Sequence, residues 1–221
     1  MSEKAIVLMS GGLDSTTCLY WAKNKYDEVY AITFNYFHRI NGEKIATRKI
    51  TRLLGVRLIE VQLPFIKEQS EYSNFEERSA DQPAHSYIPL RNLIFYSISG
   101  YFAQVNKIQN IVGGHNAGDG KIFKDATGSY FKRMNQLIKQ GLLDSADCNI
   151  LLPLKEKSRV DVIRLGLKLR IPFGLTWSCH RAGRVHCGNC YACKQRLDAF
   201  KILRRSDSID YEGNVNMFNK S

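Results

Sequence analysis

The N-terminal part of the chain alternates short apolar runs with segments whose apolar residues recur every three or four positions. Residues 5–9 form a continuous apolar run that ends at a Ser-Gly-Gly sequence, as expected of a strand buried on both faces. Residues 29–34 and 56–63 predict two further strands, while helical spacing predicts helices over residues 14–25 and 43–54. This order of elements is typical of a parallel sheet with helices packed against it.

The rest of the chain continues the same pattern. We expect a long helix after Pro89, a strand over residues 108–112, helices over residues 129–140, 158–169 and 191–203, and an extended segment over residues 149–152. Residues 64–86 are polar and irregular, so we expect this segment to be the most mobile. The pattern predicts an α/β fold, a Rossmann-like doubly wound parallel sheet over residues 1–174, with a C-terminal helical appendage over residues 175–221.

Composition and charge narrow the class of protein. The chain has 221 residues, with 32 Lys or Arg and 21 Asp or Glu, and a net charge of +11 at pH 7. This excess fits contact with nucleic acid, and it equally fits a pocket for polyanionic small molecules such as nucleotides. No apolar run approaches the roughly 20 residues of a membrane helix, and the N-terminus lacks a signal-peptide pattern. We therefore expect a cytoplasmic protein without membrane contact.

A glycine-containing loop joins the first predicted strand to the first predicted helix and reads Ser-Gly-Gly-Leu-Asp-Ser-Thr over residues 10–16. Open α/β sheets bind nucleotides at this position, because glycines admit a phosphate and the N-terminal amides of the helix attract it. Ser10 and Ser15 add hydroxyl groups, whereas Asp14 implies either a bridging Mg²⁺ or a hydrogen bond that orders the loop. The loop is neither a Walker A motif nor a dinucleotide fingerprint.

Four of the six cysteines lie close together near the C-terminus: Cys179, Cys187, Cys190 and Cys193. Four thiolates are the preferred ligands of a closed, tetrahedral zinc site, and an iron–sulfur cluster is the main alternative. We expect His180 and His186 not to be ligands, because four cysteines already complete such a site. Cys18 and Cys148 have no partner at ligand spacing and are expected in the core.

With its Ser-Gly-Gly-x-Asp-Ser sequence, the loop over residues 10–15 resembles the signature of the PP-loop ATP pyrophosphatase superfamily. The resemblance implies an adenine nucleotide alpha-hydrolase-like fold with the α- and β-phosphates of ATP on this loop. It also implies cleavage of ATP to AMP and pyrophosphate through an adenylated substrate. It leaves the substrate open, since members of the superfamily thiolate tRNA, amidate carboxylates or make lysidine.

Longer segments resemble the 7-cyano-7-deazaguanine synthase (QueC) family. They are the loop with its extension over residues 13–19, Ile-Pro-Leu-Arg-Asn at 88–92, Pro-Leu at 153–154 with Val-Ile-x-Leu-Gly at 162–166, and Leu-Thr-Trp-Ser-Cys at 175–179 with the cysteine motif up to residue 200. The resemblance runs from about residue 5 to about residue 203. The chain departs from the family at residues 35–40 and 120–125, and it has Arg159 where the family has lysine; these departures concern the contacts to the base.

This resemblance implies a ligase that forms C–N bonds. Such an enzyme converts 7-carboxy-7-deazaguanine, ammonia and ATP to 7-cyano-7-deazaguanine, through an adenylate and an amide, in queuosine or archaeosine biosynthesis. It also implies a homodimer, Mg²⁺, and one Zn²⁺ per chain in the C-terminal appendage, on the four clustered cysteines.

The site residues implied in this way fall into three sets. The expected catalytic residues are Asp14, Ser15, Arg91, Asp119 and Arg159. The residues expected to bind ATP are Met9, Ser10, Gly11, Gly12, Leu13, Asp14, Ser15, Thr16, Thr17, Cys18 and Leu19. The residues expected to contact the deazapurine substrate are Arg91, Asn92, His115 and Asp119.

Two other functions remain open at this point. A PP-loop enzyme of the thiolation or lysidine type would adenylate a tRNA base, and the charge of +11 favours this reading. A non-enzymatic zinc-ribbon protein that binds nucleic acid would account for the cysteines, but not for the phosphate loop within a full α/β core. Direct binding of nucleic acid is therefore the less favoured explanation of the charge.

Overall fold

A computed structural model describes residues 2–36, 39–66, 88–143, 148–181 and 183–213. Within these residues, five strands form one parallel sheet in the order β3-β2-β1-β4-β5. The strands are β1 (Lys4–Leu8), β2 (Glu28–Asn35), β3 (Arg57–Gln62), β4 (Asn110–Val112) and β5 (Asn149–Leu151). The sheet is therefore doubly wound, and the strand order reverses between β1 and β4.

Seven helices lie in the described residues: α1 (Leu13–Lys23), α2 (Asn41–Leu53), α3 (Arg91–Val105), α4 (Asp119–Ile122), α5 (Gly128–Gly141), α6 (Arg159–Lys168) and α7 (Tyr191–Ile202). Helices α1, α2, α6 and α7 pack on one face of the sheet, and α3 and α5 pack on the other. Two short 3₁₀ turns, Lys124–Ala126 and Phe173–Leu175, connect helices.

Strand β1 lies at the centre of the sheet because its residues are apolar on both faces. Ala5 and Val7 belong to the core under α1 and α6, whereas Ile6 belongs to the core under α3. All three side chains are fully buried. A central strand of this kind places the loop that follows it at the reversal of strand order, where open α/β sheets bind ligands.

The predicted α/β class, the doubly wound parallel sheet and its five extended segments are confirmed. The helix predicted after Pro89 begins only at Arg91, because Leu90 has a left-handed backbone with φ of 56° and caps the helix. The four-residue helix α4 was not predicted, since it is too short to show a periodicity. Most of the segment expected to be mobile, residues 67–86 of the segment 64–86, lies outside the described residues.

The boundary at residue 174 stays a prediction. Ala199 and Phe200 of α7 are buried in the same core as β1 and α1, so the appendage shares that core. Within the described residues, no helix is long and apolar enough to cross a membrane. Cys18 and Cys148 are buried in the two cores, as predicted.

A buried guanidinium group holds the C-terminal region together. Arg196 on α7 is only 1% exposed and donates to both carboxylate oxygens of Asp207, at 2.6 and 2.9 Å. The hydroxyl of Tyr211 donates to the same carboxylate at 2.8 Å, and Arg196 also donates to the carbonyl of Phe173 at 3.0 Å. Each charge is thus paired and hydrogen-bonded, which a buried ion requires.

We expect Asp207→Asn to lower the free energy of unfolding by about 3 kcal/mol, because it leaves the buried guanidinium of Arg196 without a counter-charge. Urea unfolding followed by circular dichroism measures the change. Glu60→Gln is the matched control, since Glu60 pairs with the exposed side chain of Arg48 and should change stability by less than about 1 kcal/mol. Equal losses in the two variants would contradict the role given to the buried pair.

Candidate active site and metal centre

The loop between β1 and α1 has a backbone that only glycine permits at one position. Gly11 has φ of +85°, and a Cβ there would lie 2.5 Å from the carbonyl oxygen of Glu43. Across the sheet, a Cβ on Gly114 would lie 2.9 Å from the amide nitrogen of Ser15, so the chain after β4 passes directly against the start of α1. Both glycines are therefore required by close backbone approaches.

Hydrogen bonds within the loop fix its shape. The hydroxyl groups of Ser10 and Ser15 lie 3.1 Å apart, and the amide of Gly12 donates to the hydroxyl of Ser10 at 3.3 Å. The hydroxyl of Thr16 donates to the carbonyl of Gly12 at 2.7 Å. Among the described residues no side chain caps the N-terminus of α1, so its first amides and the positive end of its dipole are available to an anion.

Two carboxylates and one guanidinium group meet at the reversal of strand order. Arg159, the first residue of α6, donates to one carboxylate oxygen of Asp14 at 2.5 Å. The amide side chain of Asn116 donates to the other oxygen of Asp14 at 3.0 Å. The backbone amide of Asn116 donates to Asp119 at 2.9 Å. Asn116 therefore bridges two acidic residues that repel each other.

The pKa values of two neighbouring groups depart from their ordinary values, that of Asp119 towards neutral pH and that of His115 away from it. Burial, followed by the negative charge of Asp14, raises the pKa of Asp119 to about 6. Burial, followed by the positive charge of Arg91, lowers the pKa of His115 to about 3. The imidazole of His115 is thus neutral at neutral pH and packs against the ring of Phe131 at a centroid distance of 4.7 Å. Such perturbed groups in one cluster mark a candidate catalytic site.

A second charged cluster lies on the other side of the loop. The guanidinium of Arg39 is buried and donates to the carbonyl of Ser10 and to the hydroxyl of Thr47, both at 3.2 Å. Burial raises the pKa of Glu43, and the positive charges of Arg39 and Arg91 partly offset that rise. The charge of Arg91 therefore acts on groups of both clusters.

The four clustered cysteines form a site that could hold a metal. All four side chains are buried, and their Sγ atoms lie within 4.8 Å of one another. Tetrahedral zinc with Zn–S bonds of roughly 2.3 Å needs sulfur atoms about 3.8 Å apart, so this cluster fits after a small contraction. Backbone amides donate to the sulfur atoms of Cys179 and Cys187 at 3.3–3.4 Å, which supports thiolate character.

The neighbouring histidine at residue 186 is not part of that cluster. Its Nε2 atom accepts a hydrogen bond from the amide of Ser178 at 3.0 Å, and its ring packs against Trp177 at 4.4 Å between centroids. The expectation that His186 is not a ligand therefore agrees with its hydrogen bonding.

The structure brings most of the predicted site residues to one edge of the sheet. Asp14, Ser15, His115, Asp119 and Arg159 share this edge. Elsewhere, the side chain of Asn92 donates to the carbonyl of Asp125 at 3.0 Å, so it holds the start of α3 against the turn that follows α4.

Four residues of the expected ATP-binding set have side chains that belong to the core rather than to the loop surface: Met9, Leu13, Cys18 and Leu19. The thiol of Cys18 donates to the carbonyl of Gly113 at 3.5 Å. Any contact that these four residues make with a nucleotide would involve the backbone. Their assignment, like that of the other site residues, stays a prediction.

Sequence reasoning missed two polar residues of the site. Asn116 links Asp14 to Asp119, and Arg39 holds the carbonyl of Ser10. The position of Asn116 directly after the Gly-Gly-His sequence that ends a strand is a signal that could have indicated it. Arg39 lies in a segment that departs from the family pattern at other positions, but it keeps the arginine of that pattern, and this match is the signal that could have indicated it.

Comparison with known proteins gives one family. Residues 4–204 match the family described as queuosine biosynthesis protein QueC. A 7-cyano-7-deazaguanine synthase from Thermoplasma volcanium is 34% identical over an alignment of 233 positions, which covers 100% of this chain and 96% of that protein. A 7-cyano-7-deazaguanine synthase from Oceanobacillus iheyensis is 35% identical over 218 residues, which span 95% of this chain and 98% of that protein.

Solved structures resemble the chain in fold. A synthetase of NMN from Francisella tularensis aligns with a TM-score of 0.55 at 13% identity, over 92% of this chain and 78% of that one. The U34-tRNA thiolase NcsA from Methanococcus maripaludis, with its [4Fe-4S] cluster, aligns with a TM-score of 0.50 at 18% identity. That alignment covers 91% of this chain and 65% of the thiolase. At these identities the likeness concerns the fold alone.

The raised pKa of Asp119 makes stability depend on pH in a defined direction. Because folding favours the protonated carboxyl, its contribution is fully present below about pH 4 and is lost as the pH rises through about 6. Asp119→Asn removes this dependence, so the stability of the variant relative to the wild type should rise by about 2 kcal/mol between pH 4.5 and 7.5. Urea unfolding at each pH measures the difference.

Asp161→Asn serves as the control for this experiment. The pKa of Asp161 is lowered from its ordinary value, chiefly by its hydrogen bond from Ser158, so the group stays ionised across the whole range. Its difference from the wild type should not vary above pH 5. A difference for Asp119→Asn that is equally constant would contradict the raised pKa.

Proposed function

Because the chain belongs to the QueC family of queuosine biosynthesis proteins, we propose that it converts 7-carboxy-7-deazaguanine, ammonia and ATP to 7-cyano-7-deazaguanine. Membership of this family also gives the class of enzyme, and the chain is a ligase-type enzyme. The observation that carries the proposal is the phosphate loop at the reversal of strand order, with Asp14, Arg159 and Asp119 beside it. That arrangement can bind a nucleotide and hold a second substrate against it.

ATP would lie with its α- and β-phosphates on the amides of residues 12–15 at the start of α1. These amides and the helix dipole stabilise negative charge without a change of geometry during the reaction. The guanidinium groups of Arg159 and Arg91 lie at the same edge and would bind either phosphate or the carboxylate of the substrate. Arg159 is already held in place by its bond to Asp14.

The chemistry requires activation of a carboxylate, which is a poor electrophile. A carboxylate oxygen attacks the α-phosphorus of ATP and displaces pyrophosphate, which gives an acyl adenylate. Ammonia then attacks the acyl carbon, AMP leaves, and an amide forms with release of one proton. In a second round the amide oxygen attacks the α-phosphorus of another ATP and displaces pyrophosphate. The C–O bond then breaks, AMP carries the oxygen away, and the nitrile forms with loss of two protons from nitrogen.

These protons need an acceptor beside the reacting carbon. A carboxylate with a pKa near 6 accepts a proton and returns it to solvent at neutral pH, and Asp119 has this property. The neutral imidazole of His115 lies 3.9 Å from the same carboxylate, measured from Nδ1 to Oδ2. We propose that Asp119 accepts the proton and that His115 orients or relays it.

Two metal ions complete the proposal. The carboxylate of Asp14 is a hard oxygen ligand beside the expected phosphates, and with those phosphates it would hold Mg²⁺, which offsets the phosphate charge. The four cysteines would hold one Zn²⁺ per chain, which keeps the C-terminal segment folded. We also propose a cytoplasmic homodimer that acts on small molecules, and a product used in queuosine or archaeosine biosynthesis.

Purified protein incubated with 7-carboxy-7-deazaguanine, ammonium and Mg-ATP should yield 7-cyano-7-deazaguanine, detected by mass spectrometry. Asp14→Asn should lower the rate at least about a hundredfold, because Arg159 and Asn116 then lose the charge that orients them. Asp161→Asn, at an exposed position on α6, should leave the rate unchanged. Turnover of ATP only on addition of tRNA, with no nitrile, would instead support a tRNA-modifying enzyme.

Metal analysis of protein purified without oxygen should find one zinc per chain, because four buried thiolates favour a closed tetrahedral site. Cys190→Ser should lose most of the metal, and Cys148→Ser, which changes a buried cysteine outside the cluster, should retain it. Inductively coupled plasma mass spectrometry gives both ratios. Iron with acid-labile sulfide in place of zinc would show that the centre is an iron–sulfur cluster.

A further inference from the structure

A short segment connects the cysteine centre directly to the phosphate loop. It comprises residues 176–179, here called the strap, and it ends at the first cysteine of the cluster. The backbone amide of Trp177 donates to the carbonyl of Gly11 at 2.9 Å. The strap lies so close to the loop that a Cβ on Gly12 would be 3.5 Å from the carbonyl oxygen of Trp177.

The indole ring of Trp177 is held on both sides. Its Nε1 atom donates to the carbonyl of Cys179 at 2.8 Å, and the ring of His186 lies 4.4 Å away between centroids. The ring also meets the start of α2, where a Cβ on Gly42 would lie 2.3 Å from its Cδ2 atom. The indole therefore occupies a slot that exists only because residue 42 has no side chain.

Thr176 and Ser178, which flank Trp177 within the strap, also form hydrogen bonds to residues next to the cysteine centre. The amide of Ser178 donates to Nε2 of His186, next to the ligand candidate Cys187, at 3.0 Å. The guanidinium of Arg196 on α7 donates to the hydroxyl groups of Thr176 and Ser178 at 2.6 and 3.1 Å. Displacement of the cysteine cluster would therefore move the strap.

We propose that Trp177 is a positioning residue through which the metal-bound cysteine centre sets the geometry of the phosphate loop. The carbonyl of Gly11 and the amide of Gly12 belong to one planar peptide, so the bond from Trp177 fixes the direction of the first amide of the loop. Loss of the metal then weakens nucleotide binding although no cysteine of the cluster touches the loop. This inference rests on the proposed function, in that the loop binds ATP.

Gly42→Ala tests the slot, because the substitution itself lies outside the loop, the strap and the cysteine cluster. The added methyl group displaces the indole, and we expect the Kd for Mg-ATP, measured by isothermal titration calorimetry, to rise about tenfold with the metal content unchanged. Gly128→Ala is the matched control, because Gly128 also lies in the first turn of a helix and a Cβ there meets nothing within 4 Å. An unchanged Kd in Gly42→Ala would overturn the inference.

Variants of the tryptophan itself separate positioning from general stability. Trp177→Phe keeps the backbone donor and an aromatic ring, and should bind Mg-ATP within about threefold of the wild type. Trp177→Ala empties the slot and should weaken binding at least tenfold, at a temperature where both variants are folded by circular dichroism. Equal affinities in Trp177→Phe and Trp177→Ala would overturn the inference.

Fluorescence gives a readout that does not depend on activity. The chain has two tryptophans, so Trp21→Phe leaves Trp177 as the single emitter. Saturating Mg-ATP should change the emission of Trp177, and removal of the metal by a chelator should change the emission and raise the Kd for Mg-ATP together. Emission that does not respond to bound ATP would overturn the inference.

The experiments distinguish failure of the inference from failure of the proposed function. Wild-type protein that does not bind Mg-ATP overturns the proposed nucleotide site, and the inference with it. Wild-type protein that binds Mg-ATP, together with a Gly42→Ala variant that binds equally well, overturns the inference alone.

Discussion

The candidate site depends on the ion pair between Arg159 and Asp14. The two side chains are only 30% and 17% exposed, so neither charge is well solvated, and each stabilises the ionised form of the other. Their bond joins the start of α6 to the start of α1, and Asn116 adds the loop after β4 to the same carboxylate. Without this pair, two adjacent carboxylates would face the position proposed for a phosphate, and electrostatic repulsion would oppose binding.

The sequence predicted those parts of the structure that depend on local pattern. The apolar run of β1 predicts a buried strand, and the glycines after it predict a tight turn. The position of the loop between β1 and α1 could therefore be predicted together with the sheet. Asp119 and Arg159 could be selected because they follow strand ends or match a family motif. Their grouping with Asp14 is a property of the sheet order, which brings α1, α4 and α6 together at one edge.

Contacts between segments far apart in the chain could not be predicted in the same way. The bond from Asn116 to Asp14 spans 102 positions, and that from Arg159 to Asp14 spans 145. No periodic pattern encodes such pairings. The slot for Trp177 is a similar case, since the absence of a side chain at Gly42 gives no signal until the helix and the strap are placed against each other.

The positions of three arginines explain part of the net charge of +11. Arg39 and Arg196 are buried and pair with groups of this chain, and Arg159 is committed to Asp14, so part of the positive charge acts within the fold. The buried guanidinium groups of Arg39 and Arg196 are therefore not available to a nucleic-acid surface.

Charge balance at that edge also bears on the need for a divalent cation. The guanidinium groups of Arg39, Arg91 and Arg159 face the carboxyl groups of Asp14, Glu43 and Asp119, so the cluster is close to neutral before any ligand binds. A triphosphate and a substrate carboxylate would add several negative charges to this partly buried region, where Coulomb energies exceed those in water. The amides of α1 offset only a fraction of that charge. We therefore expect the nucleotide to bind as its magnesium complex, because the cation would offset part of this added negative charge.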